Sequence, residues 1–311
     1  MQTVGFVGVG RIGIEIARHL LAAGHHVLGY RRSSLAEFEK IGGTAAASPA
    51  ALGERADIVL SCLPGGGTAL DEVIDGPHGL LQTAREGQII AELGSHALPV
   101  KERQVKRLAA KGAIFLDGEV GGTPGMVAHR KAPIYLAGDA DACRTIEPIL
   151  KTLTELYLYC GPFGAASKIK FINSLLVTVN TAAIGEAVAL ALKAGVDPDL
   201  MLKAISTGSG GSVLFPIRVP RMVKKDYHPP GGTFEALSHY FHFIDDLADS
   251  TETSTPLFRL AADLFRRGID RGLAQHDVAA IIEVVHEMSS EVREKAKARH
   301  LPLGENVSHH S

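Results

Sequence analysis

Thr3-Val4-Gly5-Phe6-Val7-Gly8-Val9-Gly10-Arg11-Ile12-Gly13 is the stretch that decides the fold. An apolar run of strand length passes directly into G-x-G-x-x-G, and helix-compatible sequence follows from about Ile12 to Ala23. Each glycine has its own physical task. Gly8 permits the tight turn, Gly10 lets a pyrophosphate approach the backbone, and Gly13 lets the helix lie close to the strand. The helix N-terminus then faces the anion. The spacing predicts a dinucleotide-binding turn at the start of a parallel sheet.

Working outward, His26–Tyr30, Asp57–Cys62, Gln88–Glu92, Ala113–Asp117, Pro133–Ala137 and Leu156–Cys160 read as further strands, separated by helix-patterned segments such as Pro99–Lys111. That alternation predicts an α/β domain of Rossmann type, a doubly wound parallel sheet covered on both faces. After Gly161 the texture changes. Ala165–Ala194 is nearly unbroken helix-compatible sequence, roughly 45 Å long at 1.5 Å per residue. Beyond it Asp199–Ser206, Pro216–Val223, Phe234–Asp249, Leu257–Arg267 and Asp277–Ser290 read as helices with no strand pattern among them. The expected organisation is a Rossmann domain over 1–162, a long connecting helix opening an all-α substrate and dimerisation domain over 163–290, and a polar tail over 291–311.

Composition bounds the function. The 311 residues give room for two domains, 46% are hydrophobic and 21% charged, and the 34 glycines, 5% aromatics and absence of Trp call for an Ala/Val/Ile/Leu core with close backbone approaches. The net charge of -2 offers no basic field for nucleic acid or anionic lipid. Cys62, Cys143 and Cys160 have neither metal-like nor disulfide-like spacing, which fits a reducing cytoplasm. The N-terminus lacks a signal-peptide pattern, and no unbroken run of about 18 apolar residues occurs. A cytoplasmic protein is expected, without nucleic-acid or membrane partners.

The end of the second strand addresses the cofactor. An NAD enzyme usually carries an acid there for the ribose hydroxyls. Here the chain reads Gly29-Tyr30-Arg31-Arg32-Ser33-Ser34. Two guanidiniums and a hydroxyl suit a dianionic 2′-phosphate, which Arg binds bidentately. NADP(H) is therefore expected in preference to NAD(H).

With Gly5 to Gly13, Cys62-Leu63-Pro64, Phe115-Leu116-Asp117-Gly118-Glu119-Val120-Gly121-Gly122, and Gly164 through Lys170 to Asn173, the chain over about residues 3–288 resembles the β-hydroxyacid dehydrogenase family. This is the group of 3-hydroxyisobutyrate dehydrogenase, tartronate semialdehyde reductase and, more distantly, 6-phosphogluconate dehydrogenase. The resemblance implies a homodimer or homotetramer joined through the helical domain, and a small carboxylic acid as substrate. It implies cofactor contacts from Gly8, Val9, Gly10, Arg11, Ile12, Gly13, Cys62, Leu63 and Pro64, with Ser95 at the nicotinamide ribose. Gly121, Gly122 and Thr123 occupy the family's substrate segment, where backbone N–H groups can hold a carboxylate. Lys170, six residues after Gly164, takes the place of the catalytic lysine, with Asn173 and Ser174 one turn on. An ammonium there can polarise a carbonyl oxygen and protonate it. Lys168, about 200° around the helix, should point elsewhere.

The chain also departs from the family pattern. Ala166 replaces a glycine before the lysine, Ser174 stands where an Asn is common, Gly121 replaces a Ser, and a Lys-Asp pair around residues 238–246 is absent. In its place His239, His242 and Asp246 share one face of the expected Phe234–Asp249 helix. They could face the substrate cleft, with His239 nearest the substrate, pack at a subunit contact, or hold a metal; no metal is expected. The functional expectation is an NADP(H)-dependent oxidoreductase of the 1.1.1 type, acting on CH–OH groups and interconverting a small 3-hydroxy acid with its 3-oxo acid or semialdehyde. The alternatives are an imine reductase-like enzyme, against which Lys170 argues, and a catalytically silent cofactor-binding scaffold.

Overall fold

The computed structural model describes residues 2–66 and 68–299. Eight strands form one sheet in the order β3-β2-β1-β4-β5-β6-β7-β8. They are β1 (Thr3–Val7), β2 (His26–Tyr30), β3 (Thr44–Ala45), β4 (Ile58–Ser61), β5 (Ile89–Glu92), β6 (Ile114–Val120), β7 (Ile134–Ala137) and β8 (Tyr157–Tyr159). The intervening helices are α1 (Arg11–Ala22), α2 (Ala36–Lys40), α3 (Pro49–Gly53), α4 (Ala69–Asp75), α5 (Leu98–Ala109), α6 (Pro124–Ala128) and α7 (Ala140–Leu153).

Both faces of the sheet are covered, and the alternation of side chains along each strand divides the core. Val4, Phe6, Leu60, Leu116 and Leu136 pack with Ile16 and Leu20 of α1 and with Ile146 and Leu150 of α7. Val7, Val59, Ile90 and Phe115 face the other way, against Leu52, Leu70 and Leu108. A strand buried on both faces reads as a continuous apolar run, which is why Ile58–Ser61 was visible without any alternation.

Two features of the sheet depart from expectation. The two-residue β3 is too short to leave a pattern. More consequentially, β7 runs antiparallel to β6, pairing Asp117 with Ala137 and Val120 with Ile134, so the sheet is mostly rather than wholly parallel. The segment Gly121–Pro133 holds only the one-turn helix α6 and cannot recross the sheet, so the chain returns beside the strand it left. This pairing also lengthens β6 past Asp117 and draws Glu119 and Val120 into the buried strand.

The long helix α8 (Ala165–Lys193) follows β8. By length and composition α8 is apolar enough to cross a membrane: its most apolar 18-residue stretch has mean hydropathy 1.8, and 39% of that stretch is buried within the chain. Thr178, Asn180, Thr181 and Glu186 interrupt the stretch, so no unbroken apolar run marks it.

The described residues divide into two compact units, one running up to Asn173 and including His242–Leu247, the other comprising Ser174–Phe241 and the described residues from Ala248 on. The division falls inside α8, whose first turns are hydrogen-bonded to β6. The remaining helices are α9 (Pro198–Ser206), α10 (Phe215–Lys224), α11 (Phe234–Ser238), α12 (Phe241–Ser250), α13 (Pro256–Gly268) and α14 (Ile281–Arg299).

The single helix expected over Phe234–Asp249 is therefore two. The Thr233 hydroxyl caps α11, and Tyr240 N–H closes back onto Leu237 O at 3.1 Å, a three-residue turn that ends the helix. At the C-terminus α14 continues through residues expected in the polar tail and ends at Arg299; the rest of that tail lies outside the described residues.

Candidate active site

At the carboxyl ends of β1, β2 and β4, where the strand order reverses, a cleft of about 570 Å³ opens. Its lining includes Gly8, Gly10, Arg11, Ile12 and Gly13 from the first turn, Arg31, Arg32 and Ser33 from the end of β2, and Cys62, Leu63 and Pro64 from the end of β4. The three glycines separate by environment. At Gly8, φ is +94° and a Cβ would lie 2.4 Å from Cys62 O; at Gly13 it would lie 2.3 Å from Gly8 O. At Gly10 nothing but Gly8 O, 3.9 Å away, comes near. Gly8 and Gly13 are thus required by the protein's own backbone, whereas Gly10 faces open space beside an α1 N-terminus with no side-chain cap. Such a cradle fits a pyrophosphate.

Two residues expected at the cofactor are not part of this lining. Val9 contributes its carbonyl, which accepts from Arg31 Nη1 at 3.0 Å, while Arg31 Nε donates to Ser33 Oγ at 2.6 Å. Arg31 is thereby braced between the end of β2 and the phosphate turn. Arg32 is exposed and lies 3.4 Å from Glu72 of α4, another residue lining the cleft. Ser95 is buried, and its hydroxyl donates to Glu119 Oε2 at 2.5 Å.

Beside Ser95 lies a buried polar cluster. Lys101 of α5 is wholly enclosed and donates to Asp117 Oδ1 (2.8 Å), Gly118 O (3.2 Å), Glu119 Oε1 (3.3 Å) and Ser167 Oγ (3.0 Å). Ser167, in the first turn of α8, donates its N–H to Asp117 Oδ2 at 2.9 Å and its hydroxyl to Asp117 Oδ1 at 2.6 Å. One turn later the buried Lys170 donates from Nζ to Val120 O at 3.2 Å, whereas Lys168 is exposed.

Burial pushes the Lys101 ammonium down, but Glu119 and Asp117 outweigh it and hold the group above the usual lysine range. Burial also raises the Glu119 carboxyl, a shift that Lys101, Lys170 and Ser95 reduce without cancelling. Desolvation first, then Glu92 and Glu119, push the Cys62 thiol up, so Cys62 is a protonated lining residue rather than a nucleophile.

Glu92 organises the neighbouring loops. Its Oε1 accepts from Leu63 N–H (3.2 Å) and Gly94 N–H (2.8 Å), and its other oxygen accepts from the Ser61 hydroxyl. Burial alone would raise this carboxyl; His96, 3.5 Å away, together with Ser61 and Lys101, lowers it overall.

The substrate segment is arranged differently from the expectation. Gly121 N–H is spent on Pro133 O at 2.8 Å, as β6–β7 pairing requires, so it does not present itself to a carboxylate. Thr123 accepts from Met126 N–H at 3.3 Å and caps α6, and a Cβ on Gly122 would meet Ala132 at 2.9 Å. Asn173 is exposed and Ser174 buried. Ala166 is fully enclosed. His239 lies in the turn after α11, edge-on to Tyr240 at 5.8 Å, so it shares no helix with His242 and Asp246. Among the described residues no group of three His, Cys, Asp or Glu is placed to hold a metal ion.

Sequence reasoning passed over Glu92, Lys101, Asp117, Glu119 and Ser167. The signal available was Asp117-Gly118-Glu119, two acids on one face of an otherwise apolar strand, which require buried partners.

Two family models match the chain: the NAD binding domain of 6-phosphogluconate dehydrogenase over residues 3–161, and the NAD-binding region of NADP-dependent 3-hydroxyisobutyrate dehydrogenase over residues 164–285. The chain belongs to the β-hydroxyacid dehydrogenase family. L-threonate dehydrogenase of Cupriavidus necator is 32% identical over 292 residues, covering 91% of this chain and 96% of that protein. Mitochondrial 3-hydroxyisobutyrate dehydrogenase of Mus musculus is 26% identical, covering 91% and 87%. In fold, the solved 3-hydroxyisobutyrate dehydrogenase of Mycobacterium tuberculosis is similar at a TM-score of 0.81 and 23% identity, covering 92% of this chain and 99% of that one. As a member of this family the chain is an NAD(P)-dependent dehydrogenase acting on CH–OH groups.

The buried cluster sets a stability prediction. Lys101→Met leaves Asp117 and Glu119 without their ammonium and should cost about 3–5 kcal/mol, read by urea denaturation. The sign with pH is definite. Because Lys101 is raised, its contribution is complete below about pH 10 and lost only as pH climbs through its folded value. In the variant the penalty should be largest near pH 8 and shrink toward pH 5, where Glu119, raised by burial and now without Lys101, takes up a proton. A penalty independent of pH contradicts this.

Proposed function

We propose that the chain interconverts a small 3-hydroxy acid and its 3-oxo acid or semialdehyde with NADP(H), Lys170 acting as general acid and base. The observation that carries this reading is a buried lysine on the first turns of α8, tied to the end of β6 through Val120 O. An ammonium there can polarise a carbonyl oxygen and give it a proton in one direction, and the neutral amine can receive the hydroxyl proton in the other.

When bound, the dinucleotide supplies or accepts the hydride. The chain's own residues do the rest. The turn at Gly8, Gly10 and Gly13, with Arg11 and Ile12, holds the pyrophosphate against the start of α1. Arg31, Arg32 and Ser33 hold the 2′-phosphate, a reading supported by their place in the cleft lining and by the absence of an acid at the end of β2. Leu63 and Pro64 cover the adenosine side, and Ser95 stands at the nicotinamide ribose. Gly122, Thr123 and Asn173 border the substrate.

We further propose a homo-oligomer formed through α8. Ile169, Ile172 and Leu176 recur at i, i+3 and i+7 and are 40%, 53% and 52% exposed, an apolar stripe that a second copy would cover. The three cysteines are all free, in keeping with a reducing compartment.

Lys170→Ala should lower turnover by about two to four orders of magnitude while NADPH affinity, followed by fluorescence titration, stays within about twofold. Near-normal turnover on a panel of 3-oxo acids and semialdehydes removes Lys170 from the mechanism. Silence of the wild-type protein across the panel, with NADPH bound, identifies a cofactor-binding scaffold.

Arg31→Ala combined with Arg32→Ala should weaken NADPH binding about tenfold or more and leave NADH nearly unchanged. Equal affinity of the wild-type protein for both nucleotides overturns the assignment. Light scattering at micromolar concentration should give at least a dimer, and Leu176→Glu should shift it toward monomer; a monomeric wild-type protein contradicts the proposal.

A further inference from the structure

The three acids of α4 are sorted by what they face. Asp71 accepts from Arg103 Nη2 at both oxygens, each at 2.7 Å, and from Gln104 Nε2 at 2.6 Å. Asp75 accepts from Gln104 Nε2 at 2.9 Å and from Arg107 Nη1 at 2.5 Å. Both belong to the packing of α4 on α5. Glu72 is the next residue after Asp71 but stands about 100° around the helix, and it lines the dinucleotide cleft. Its Oε1 accepts from the Thr68 hydroxyl one turn earlier, and its Oε2 lies 3.4 Å from Arg32 Nη1.

The two arginines at the end of β2 are held differently. Arg31 is half-buried and spends Nε on Ser33 Oγ and Nη1 on Val9 O. Arg32 is exposed, and the carboxylate it meets from α4 is exposed as well. Such a pair adds little to stability, because solvent screens it and two long side chains must be ordered. Its consequence falls on whatever anion enters beside Arg32. An NAD enzyme usually places its acid at the end of the second strand; here that position holds arginines, and a carboxylate reaches the same corner of the cleft from α4 instead. A 2′-phosphate bound by Arg32 has to share the guanidinium with Glu72 and sit close to a charge of its own sign.

We infer that Glu72 is a specificity-determining residue, whose carboxylate offsets Arg32 and narrows the preference for NADP(H) over NAD(H). The inference rests on the reading of Arg31, Arg32 and Ser33 as the 2′-phosphate ligands. Arg31, braced on Val9 and Ser33, carries the preference, and Arg32 is the member that Glu72 weakens. NADH has a neutral hydroxyl at the 2′ position and meets no such repulsion. Discrimination between the two nucleotides is a difference of affinities, so a repulsive group at the phosphate corner sets it as directly as an attractive one.

The test is fluorescence titration of NADPH and NADH with the wild-type protein, Glu72→Gln and Arg32→Ala, at low salt and at about 0.5 M. Glu72→Gln removes the charge and keeps the length of the side chain. It should tighten NADPH binding about three- to tenfold at low salt, with NADH within about twofold of wild type. The gain should fall below about twofold at about 0.5 M salt, where like charges are screened over a few ångströms. Adenosine 2′,5′-bisphosphate, which carries the phosphate without the nicotinamide, should show the same gain. Weaker NADPH binding in Glu72→Gln makes the carboxylate a brace that presents Arg32, and overturns the inference. Unchanged NADPH affinity there, alongside a loss of about fivefold or more in Arg32→Ala, also overturns it, as does a gain that persists at high salt. A fall in NADH affinity with NADPH unchanged assigns Glu72 to a ribose hydroxyl and overturns it too. If Arg32→Ala leaves NADPH affinity unchanged, the reading of Arg32 as a phosphate ligand fails, and the inference with it.

Discussion

The salt-bridged cluster of Lys101, Asp117, Glu119 and Ser167 is the constraint on which the placement of the proposed acid and base depends. Two acids on one face of a buried strand are intolerable without counter-charge. Lys101 supplies it from α5, and the first turn of α8 supplies hydrogen bonds. The Ser167 N–H is one of the helix-start donors that no residue of the helix itself can satisfy. Asp117, fifty positions earlier in the chain, satisfies it. The start of α8 is thus pinned to β6 by a charge-assisted bond that also suits the helix dipole. With that turn held, Lys170 arrives at Val120 O as a consequence of helical spacing.

Glu92 does comparable work on the cofactor side with a simpler arrangement. One carboxylate gathers Leu63 N–H, Gly94 N–H and the Ser61 hydroxyl, joining the loops that follow β4 and β5. Leu63 lines the dinucleotide cleft, and Gly94 precedes Ser95, which hydrogen-bonds to Glu119. The two acidic centres are therefore connected through a single serine. The cleft and the lysine are held by different carboxylates, so each can respond to substitution with its own signature.

Much of the cleft was legible in advance because each relevant property is local. G-x-G-x-x-G sets a strand, a turn and a helix within eleven residues, and the two arginines after β2 follow at a spacing set by one strand–helix–strand unit. The antiparallel return of β7 was not legible. It depends on Gly121–Pro133 being too short to recross the sheet, and that same pairing diverts the Gly121 N–H away from any substrate. Likewise the break at His239–Tyr240 leaves the apolar spacing intact while ending the helix, so periodicity carried straight through it.

By itself the amino-acid sequence determined the α/β class, the dinucleotide turn, the long helix and the lysine near its start, since each rests on residues close together in the chain. Tertiary structure alone decided which charges meet. Lys101, Asp117, Glu119 and Ser167 come from a helix, a strand and a second helix spread over residues 101–167, and each alone reads as an ordinary polar residue. Their partnership arises only when β6 is buried between its neighbours, because removing water from two carboxylates makes a particular ammonium and a particular helix N-terminus obligatory.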